Sequence, residues 1–366
     1  MKRHGGTPSR PTDRVPPCNL QLPRRALRAS QPSPALRVGP GAGSVWGVNL
    51  SRRISFYEQL ATMTSAGIPL RQALERAGQR WADPQIAVVI RTLNQGQGAA
   101  DAFLAGKFTS FETKLVAAGE RSGRLDDSFK QLAIYWKTEN ELVGAMWKHL
   151  AYPILLLHLV AIIGPLPKLA TCSVPFYVFS VVTQLAFLYG AAFVIYWGAR
   201  ESWRSEAGQA FWLRVPLVGR FLRATYAYRW VVALRMELNS GISFAQAAAD
   251  AWEATGYSSR EQRAAAAREG LLSGEPLSTL VAGWRELPVD WVDYFTTAEV
   301  SGKIYETLGH VEANALTEWK RAQERLADWL PKLLYLVLIL YAAFQIFSMA
   351  LGVFGKVNEV LDSVGQ

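Results

Sequence analysis

After about residue 50, apolar residues recur at helical spacing, and no stretch shows the sustained two-residue alternation of a half-buried strand. The pattern predicts an all-α fold. Ile54, Tyr57, Leu60 and Ala61 mark a first helix that Ser51 can cap; Gly67 permits a tight exit, and Pro69 can open the next helix. Asp83-Pro84 starts another helix through Ile86, Val89, Ile90 and Leu93, which Gly96-Gln97-Gly98 breaks. A further helix runs from about Phe111 to Ala118. Gly119 to Gly123 then serves as a connector before a long helix starting at Leu125. Beyond residue 200 the pattern predicts a linking stretch, Arg200 to Arg229, and then helices over Tyr228 to Asn239, Phe244 to Ala254, Ala264 to Leu272, Trp291 to Thr297 and Ile304 to Leu330.

Three stretches are apolar enough to cross a bilayer. Leu150 to Leu166 holds ten Leu, Ile, Val or Phe residues but is interrupted by Pro153, His158 and Pro165. Those ten contribute about −3 to −6 kcal/mol before polar penalties, which makes this a marginal span. Val174 to Trp197 carries no charge and has aromatic residues at both ends. Leu333 to Phe354, also uncharged, has thirteen such residues, or about −4 to −8 kcal/mol on the same scale. Basic residues cluster on one side: Lys148 before the first span, Arg200, Arg204 and Arg214 after the second, and Lys320, Arg321, Arg325 and Lys332 before the third. The positive-inside rule then puts the soluble parts in the cytoplasm and the C-terminus outside. The expected layout is a disordered basic Pro-rich tail (1–48), a cytoplasmic helical bundle (49–147), a transmembrane hairpin (148–199, with spans about 150–170 and 174–197), a second cytoplasmic bundle (200–331), a third span (332–355) and a short extracytoplasmic tail (356–366).

The two bundles repeat one another. Ser65-Ala66-Gly67-Ile68-Pro69 is matched by Asn239-Ser240-Gly241-Ile242-Ser243, 174 residues on. Glu120-Arg121-Ser122-Gly123-Arg124-Leu125 is matched by Glu299-Val300-Ser301-Gly302-Lys303-Ile304, 179 residues on. Landmarks at nearly equal offsets indicate a duplicated unit. The repeated acid-x-Ser-Gly motif, together with Tyr152-Pro153, Pro216-Leu217-Val218-Gly219-Arg220 and the closing apolar helix, resembles the type II secretion system protein F family, which includes type IV pilus platform proteins. The resemblance runs from roughly Ser51 to the end. It implies an inner-membrane platform that couples a cytoplasmic secretion or pilus ATPase to extraction and polymerisation of pseudopilins or pilins. It further implies other inner-membrane assembly proteins as neighbours, a homo-oligomer, and the first repeat as the main ATPase-facing module. The loop around Pro165 to Pro175 is shorter than the family pattern leads one to expect.

Composition limits what else the chain can be. Half of its residues are hydrophobic and its formal charge is +9. Residues 1–44 carry eight basic residues against Asp13, so the remainder is close to neutral. Basic residues confined to such a tail are not a nucleic-acid footprint, which needs a folded basic face; they suit a tether to anionic lipid or an unstructured extension. Cys18 and Cys172 lie too far apart to define a disulfide framework or a metal site. Gly106-Lys107, Gly302-Lys303 and Gly355-Lys356 lack the Ser or Thr that a phosphate-binding loop needs, and no zincin or nucleophile-elbow motif is present. No catalytic residue, metal ligand or cofactor is expected, and the chain is not read as an enzyme.

The candidate partner-binding residues are therefore the repeated motifs: Gly67, Glu120, Ser122 and Gly123 in the first bundle, and Gly241, Glu299, Ser301 and Gly302 in the second. Each acid either receives a basic patch of a partner or bonds backbone donors at the adjoining helix start; the second is the simpler reading, and the glycines are turn residues. The membrane-embedded polar residues are His158, Gln184 and Gln345. A small transporter or channel is the alternative from another class, but it would need paired ionisable groups in the spans. His158 is instead expected to pair with a backbone carbonyl or with Gln184, while Gln184 and Gln345 tie helices together.

Overall fold

Each of the two apolar-periodic regions folds as six helices in the same order. The structure, a computed structural model, describes Met1 and residues 50–81, 83–166, 174–203 and 205–364, and every described helix is α. The first six are α1 (Leu50–Ser65), α2 (Leu70–Trp81), α3 (Pro84–Asn94), α4 (Ala99–Ala105), α5 (Ser110–Ser122) and α6 (Leu125–Ile163). Two helices connect the halves, α7 (Val174–Ser202) and α8 (Glu206–Arg214). The second set is α9 (Pro216–Asn239), α10 (Phe244–Thr255), α11 (Arg260–Leu272), α12 (Leu277–Ala282), α13 (Trp291–Ser301) and α14 (Ile304–Val364). No strand occurs among the described residues. The basic tail expected over residues 1–48 and the loop at 167–173 lie outside them, Met1 apart.

Local chemistry sets the helix starts. Asp83 accepts from the Gln85 amide at 2.8 Å and places Pro84 in the first turn of α3. Thr109 and Glu112 cap each other at the start of α5. α5 therefore extends to Ser122, through the stretch expected to be a connector, and only Gly123 and Arg124 separate it from α6. The link between the membrane part and the second bundle is also helical. Gln209 of α8 is buried, donates to the Trp203 carbonyl at 2.9 Å and accepts from the Ser258 amide at 2.9 Å. Pro216 then opens α9 twelve residues before the expected start of that core helix.

Within each half the first helix lies along the last: α1 packs on α6, and α9 on α14. The first half buries Tyr57, Leu60, Phe103, Phe111, Leu115 and Phe129; the second buries a cluster of Trp230, Trp252, Trp284, Trp291 and Phe295. The two cores are continuous. Helix α5 packs against α9 and α10, and α6 packs against α14. Trp319 of α14, fully buried, is sandwiched between Tyr135 of α6 (ring centroids 5.1 Å, 12° between planes) and Tyr228 of α9 (4.8 Å, 17°).

Among the described residues three helices, α6, α7 and α14, are long and apolar enough to cross a membrane. α6 and α14 run without interruption from bundle into apolar segment. Each carries an internal proline, Pro153 and Pro331, 178 residues apart. α6 ends at Ile163, two residues before Pro165.

Candidate functional site

The repeated motifs close the penultimate helix of each bundle. Gly123 has φ +69° and Gly302 φ +69°, the left-handed conformation that a glycine adopts without steric penalty. In the first copy the Arg124 amide donates to the Gly119 carbonyl at 2.8 Å and the Gly123 amide to the Glu120 carbonyl at 3.3 Å, the paired bonds of a Schellman turn. Ser122 folds back to donate to the Ala118 carbonyl at 2.8 Å, and Ser301 to the Ala298 carbonyl at 3.4 Å. Gly67 (φ +80°) and Gly241 (φ +78°) make the matching turns after α1 and α9.

The two acids act at a distance rather than on the adjoining helix. Glu120 accepts from the Ala99 and Ala100 amides at 2.7 and 3.0 Å, capping α4. Glu299 accepts from the Ser278 amide at 3.3 Å and its hydroxyl at 2.6 Å, at the start of α12. In both copies the acid reaches back 21 residues to a helix of six or seven residues. Such short helices are marginal alone, so the acid ties the loop before them to the helix that carries the motif. Glu120→Ala or Glu299→Ala is expected to cost about 1 kcal/mol and to raise amide exchange in α4 or α12 ahead of the other helices. Uniform protection across the bundle would show that the cap does not hold them.

The motifs do not form one surface with the polar residues of the apolar segments. His158 Nδ1 donates to the Ile154 carbonyl at 2.7 Å, and Nε2 sits 2.7 Å from the Tyr189 hydroxyl of α7. Gln184 is engaged elsewhere: the Tyr341 hydroxyl donates to it at 3.1 Å and accepts from Gln345 Nε2 at 3.0 Å. This chain of bonds joins α7 to α14.

Sequence reasoning missed the contact between the halves. Lys114 of α5 pairs with Asp250 at 3.3 Å, Arg121 pairs with Glu237, and Ser110 Oγ donates to the Glu253 carbonyl at 2.7 Å. Arg229 of α9 donates to the Thr255 carbonyl at 2.9 Å and bonds the Tyr135 hydroxyl. Burial pushes the Glu237 carboxyl up to about 7, against the pull of Arg121, with the nearby Asp250 raising it further. An acid whose folded-state pKa lies above its unfolded value of about 4.3 favours the folded state at low pH. That contribution is lost as pH rises from about 4.3 to about 7. Glu237→Gln should flatten this part of the stability curve, read as thermal unfolding of the purified chain between about pH 5 and about pH 8. An unchanged slope would assign the proton to another group.

The second bundle also holds a cleft of ≈ 670 Å³ that no sequence signal marked. Arg220 and Arg223 of α9, Arg285, and Arg321 and Arg325 of α14 line it, with Glu318 and Asp290 among them. Only the fold brings these distant arginines together. Among the described residues no group of three or more His, Cys, Asp or Glu is placed to hold a metal ion.

Comparison with known proteins finds relatives over most of the chain. The family described as type II secretion system (T2SS), protein F, matches residues 56–167. The type 4 fimbrial assembly protein PilC of Pseudomonas putida is 26% identical over 329 residues, covering 82% of this chain and 82% of that protein. The type IV pilus assembly protein PilC of Thermus thermophilus is 28% identical, covering 72% of this chain and 70% of its own length. The type II secretion system protein F of Pseudomonas aeruginosa is 26% identical, covering 70% of each. Residues 56–167 thus resemble the type II secretion system protein F family, and relatives that align over 70% or more of the chain are named for type IV pilus assembly or type II secretion. These relatives support a protein of the type II secretion and type IV pilus class, and three apolar helices among the described residues support a multi-pass membrane protein. Members of this family are structural platforms rather than enzymes. The family match covers the first copy and its first apolar segment; the repeated turns and caps extend the same plan to the second copy.

Proposed function

We propose that this protein is the inner-membrane platform through which a cytoplasmic secretion or pilus ATPase drives extraction and polymerisation of pseudopilins or pilins. The observation that carries the proposal is mechanical. Both bundles continue into apolar segments through unbroken helices, α6 and α14, and the bundles share one core. Displacement applied to either bundle therefore reaches the bilayer without crossing a loop. Both bundles face the cytoplasm on this reading, because the basic residues flanking the spans cluster on their side. The first bundle is the ATPase-facing module, and the chain itself hydrolyses nothing.

The test uses the full-length chain, affinity-tagged in the membranes of its own host. Detergent extraction should retain a secretion ATPase in at least one of three states: with ATP, with ADP or without nucleotide. Deleting the gene should abolish pilus assembly or protein secretion, and the intact gene should restore it. No ATPase in any state would overturn the coupling; normal assembly and secretion in the deletion strain would overturn the platform role.

A further inference from the structure

We infer that the protein assembles head to tail, with the outer face of α13 of one copy seated in the groove between α1 and α2 of the next. This assembly follows from the duplication and is independent of the ATPase.

Inside the chain, α5 of the first bundle sits on the groove between α9 and α10 of the second. Two ion pairs hold it there, Lys114 to Asp250 and Arg121 to Glu237. The duplication assigns each of these residues a counterpart. α1 and α2 map onto α9 and α10 with an offset of 174, which puts the buried Leu60, Ala73 and Ala77 on the buried Leu234, Ala247 and Ala251. α5 maps onto α13 with an offset of 179, which puts the buried Val116 on the buried Phe295. Lys114 and Arg121 then correspond to Asp293 and Val300, while Asp250 and Glu237 correspond to Arg76 and Met63.

The transferred pairs are complementary. Lys114 with Asp250 becomes Asp293 with Arg76, an ion pair of reversed sign. Arg121 with Glu237 becomes Val300 with Met63, an apolar pair. The register was fixed by turns and core residues, so neither match was imposed by choosing it. Both sides of this second contact are open. Val300 is 87% exposed, and Asp293 and Arg76 are exposed, whereas the equivalent acids in the filled groove, Glu237 and Asp250, are 1% and 6% exposed. The open groove has a volume of ≈ 330 Å³, with Met63 and Arg76 in its lining and Glu58 and Gln59 on its α1 wall. α13 packs on α12 and α14 of its own bundle, with Tyr294 and Val300 turned outward.

Each chain thus carries one filled and one open version of the same contact. The two open halves lie on different bundles of one molecule. A second copy is the occupant that presents the complementary half by construction. The resulting contact is heterologous, so it propagates and closes only as a ring. A single helix in a groove buries less than the roughly 1,200–2,000 Å² of a stable interface. Association therefore draws on confinement in the membrane, which raises the effective concentration.

The test is disulfide trapping of full-length chains in isolated membranes, in a background of Cys18→Ser and Cys172→Ser. Chains carrying Met63→Cys and chains carrying Val300→Cys, bearing different tags, are co-expressed and oxidised. The expected product is a linked pair holding both tags, and a ladder when both cysteines are on one chain. Arg76→Asp should lower the yield about fivefold, and adding Asp293→Arg should restore it. All four positions are on the surface or only partly buried, and the monomer yield in membranes reports folding. Absence of the mixed product, preferential linking of Met63→Cys chains to one another, or failure of the double reversal to restore the yield would each overturn the inference.

Discussion

Replacing Glu112 by alanine is expected to destabilise the first bundle by about 3–5 kcal/mol, the cost of breaking a buried ion pair by removing one partner. Glu112 is fully buried and accepts from Arg53 Nε and Nη2 at 2.9 and 2.7 Å, from the Tyr57 hydroxyl at 2.6 Å and from Trp136 Nε1 at 3.0 Å. It also accepts from the Thr109 amide and hydroxyl at 2.8 Å each, so one carboxylate serves both the cap of α5 and the core. Its loss strands a guanidinium that is 9% exposed and faces the Trp136 ring at 4.2 Å. The second bundle shows what the same positions look like without charge. By the same offsets Arg53 and Glu112 correspond to Ala227 and Trp291, both buried, the second within the tryptophan cluster. The paired change Arg53→Met with Glu112→Leu should accordingly recover part of the loss, since it leaves no unpaired charge. Amide exchange in α1 and α5 of the detergent-purified protein reads the effect. A loss below about 1 kcal/mol for Glu112→Ala would mean that water or a rearranged acid satisfies Arg53.

Trp319→Ala should cost a similar amount, about 3–5 kcal/mol, by removing a large buried ring. Its consequence differs in kind. Trp319 stacks on Tyr135 from one half and Tyr228 from the other, so the cavity opens between bundles rather than within one. Unfolding should then lose cooperativity, with the halves melting in separate steps. The indole Nε1 has no hydrogen-bond partner among the described residues, so Trp319→Phe should keep much of the stacking and cost less. Calorimetry of the purified chain distinguishes the outcomes. A single sharp transition at lower temperature would show that the ion pairs from α5 suffice to hold the halves together.

Much of this fold was legible because its signals are local. Gly67, Gly241, Gly123 and Gly302 announce their turns within five residues, and their spacing revealed the duplication. Apolar runs of about 20 residues stand out by composition alone. The helices α4 and α12 were not legible. At seven and six residues they are too short to show a period, and their caps come from Glu120 and Glu299, 21 residues away. The acid-x-Ser-Gly motif was visible, but the partner of its acid was not. The contact between halves left no trace either. Lys114, Arg121, Glu237 and Asp250 are spaced like ordinary solvated helix charges, and only tertiary structure brings together partners 136 and 116 residues apart in sequence.

Pro153 and Pro331 occupy matching places in α6 and α14, where each rod leaves its bundle. A proline there has no amide to give the preceding turn, so the helix keeps its axial stiffness but yields to sideways bending. Under the coupling proposed above, displacement of the bundles would arrive in the lipid as swivel and tilt about two matched joints, and spin-label distance distributions across Pro331 should narrow in Pro331→Ala. A platform jointed in this way can follow an uneven stroke without tearing its footing from the bilayer.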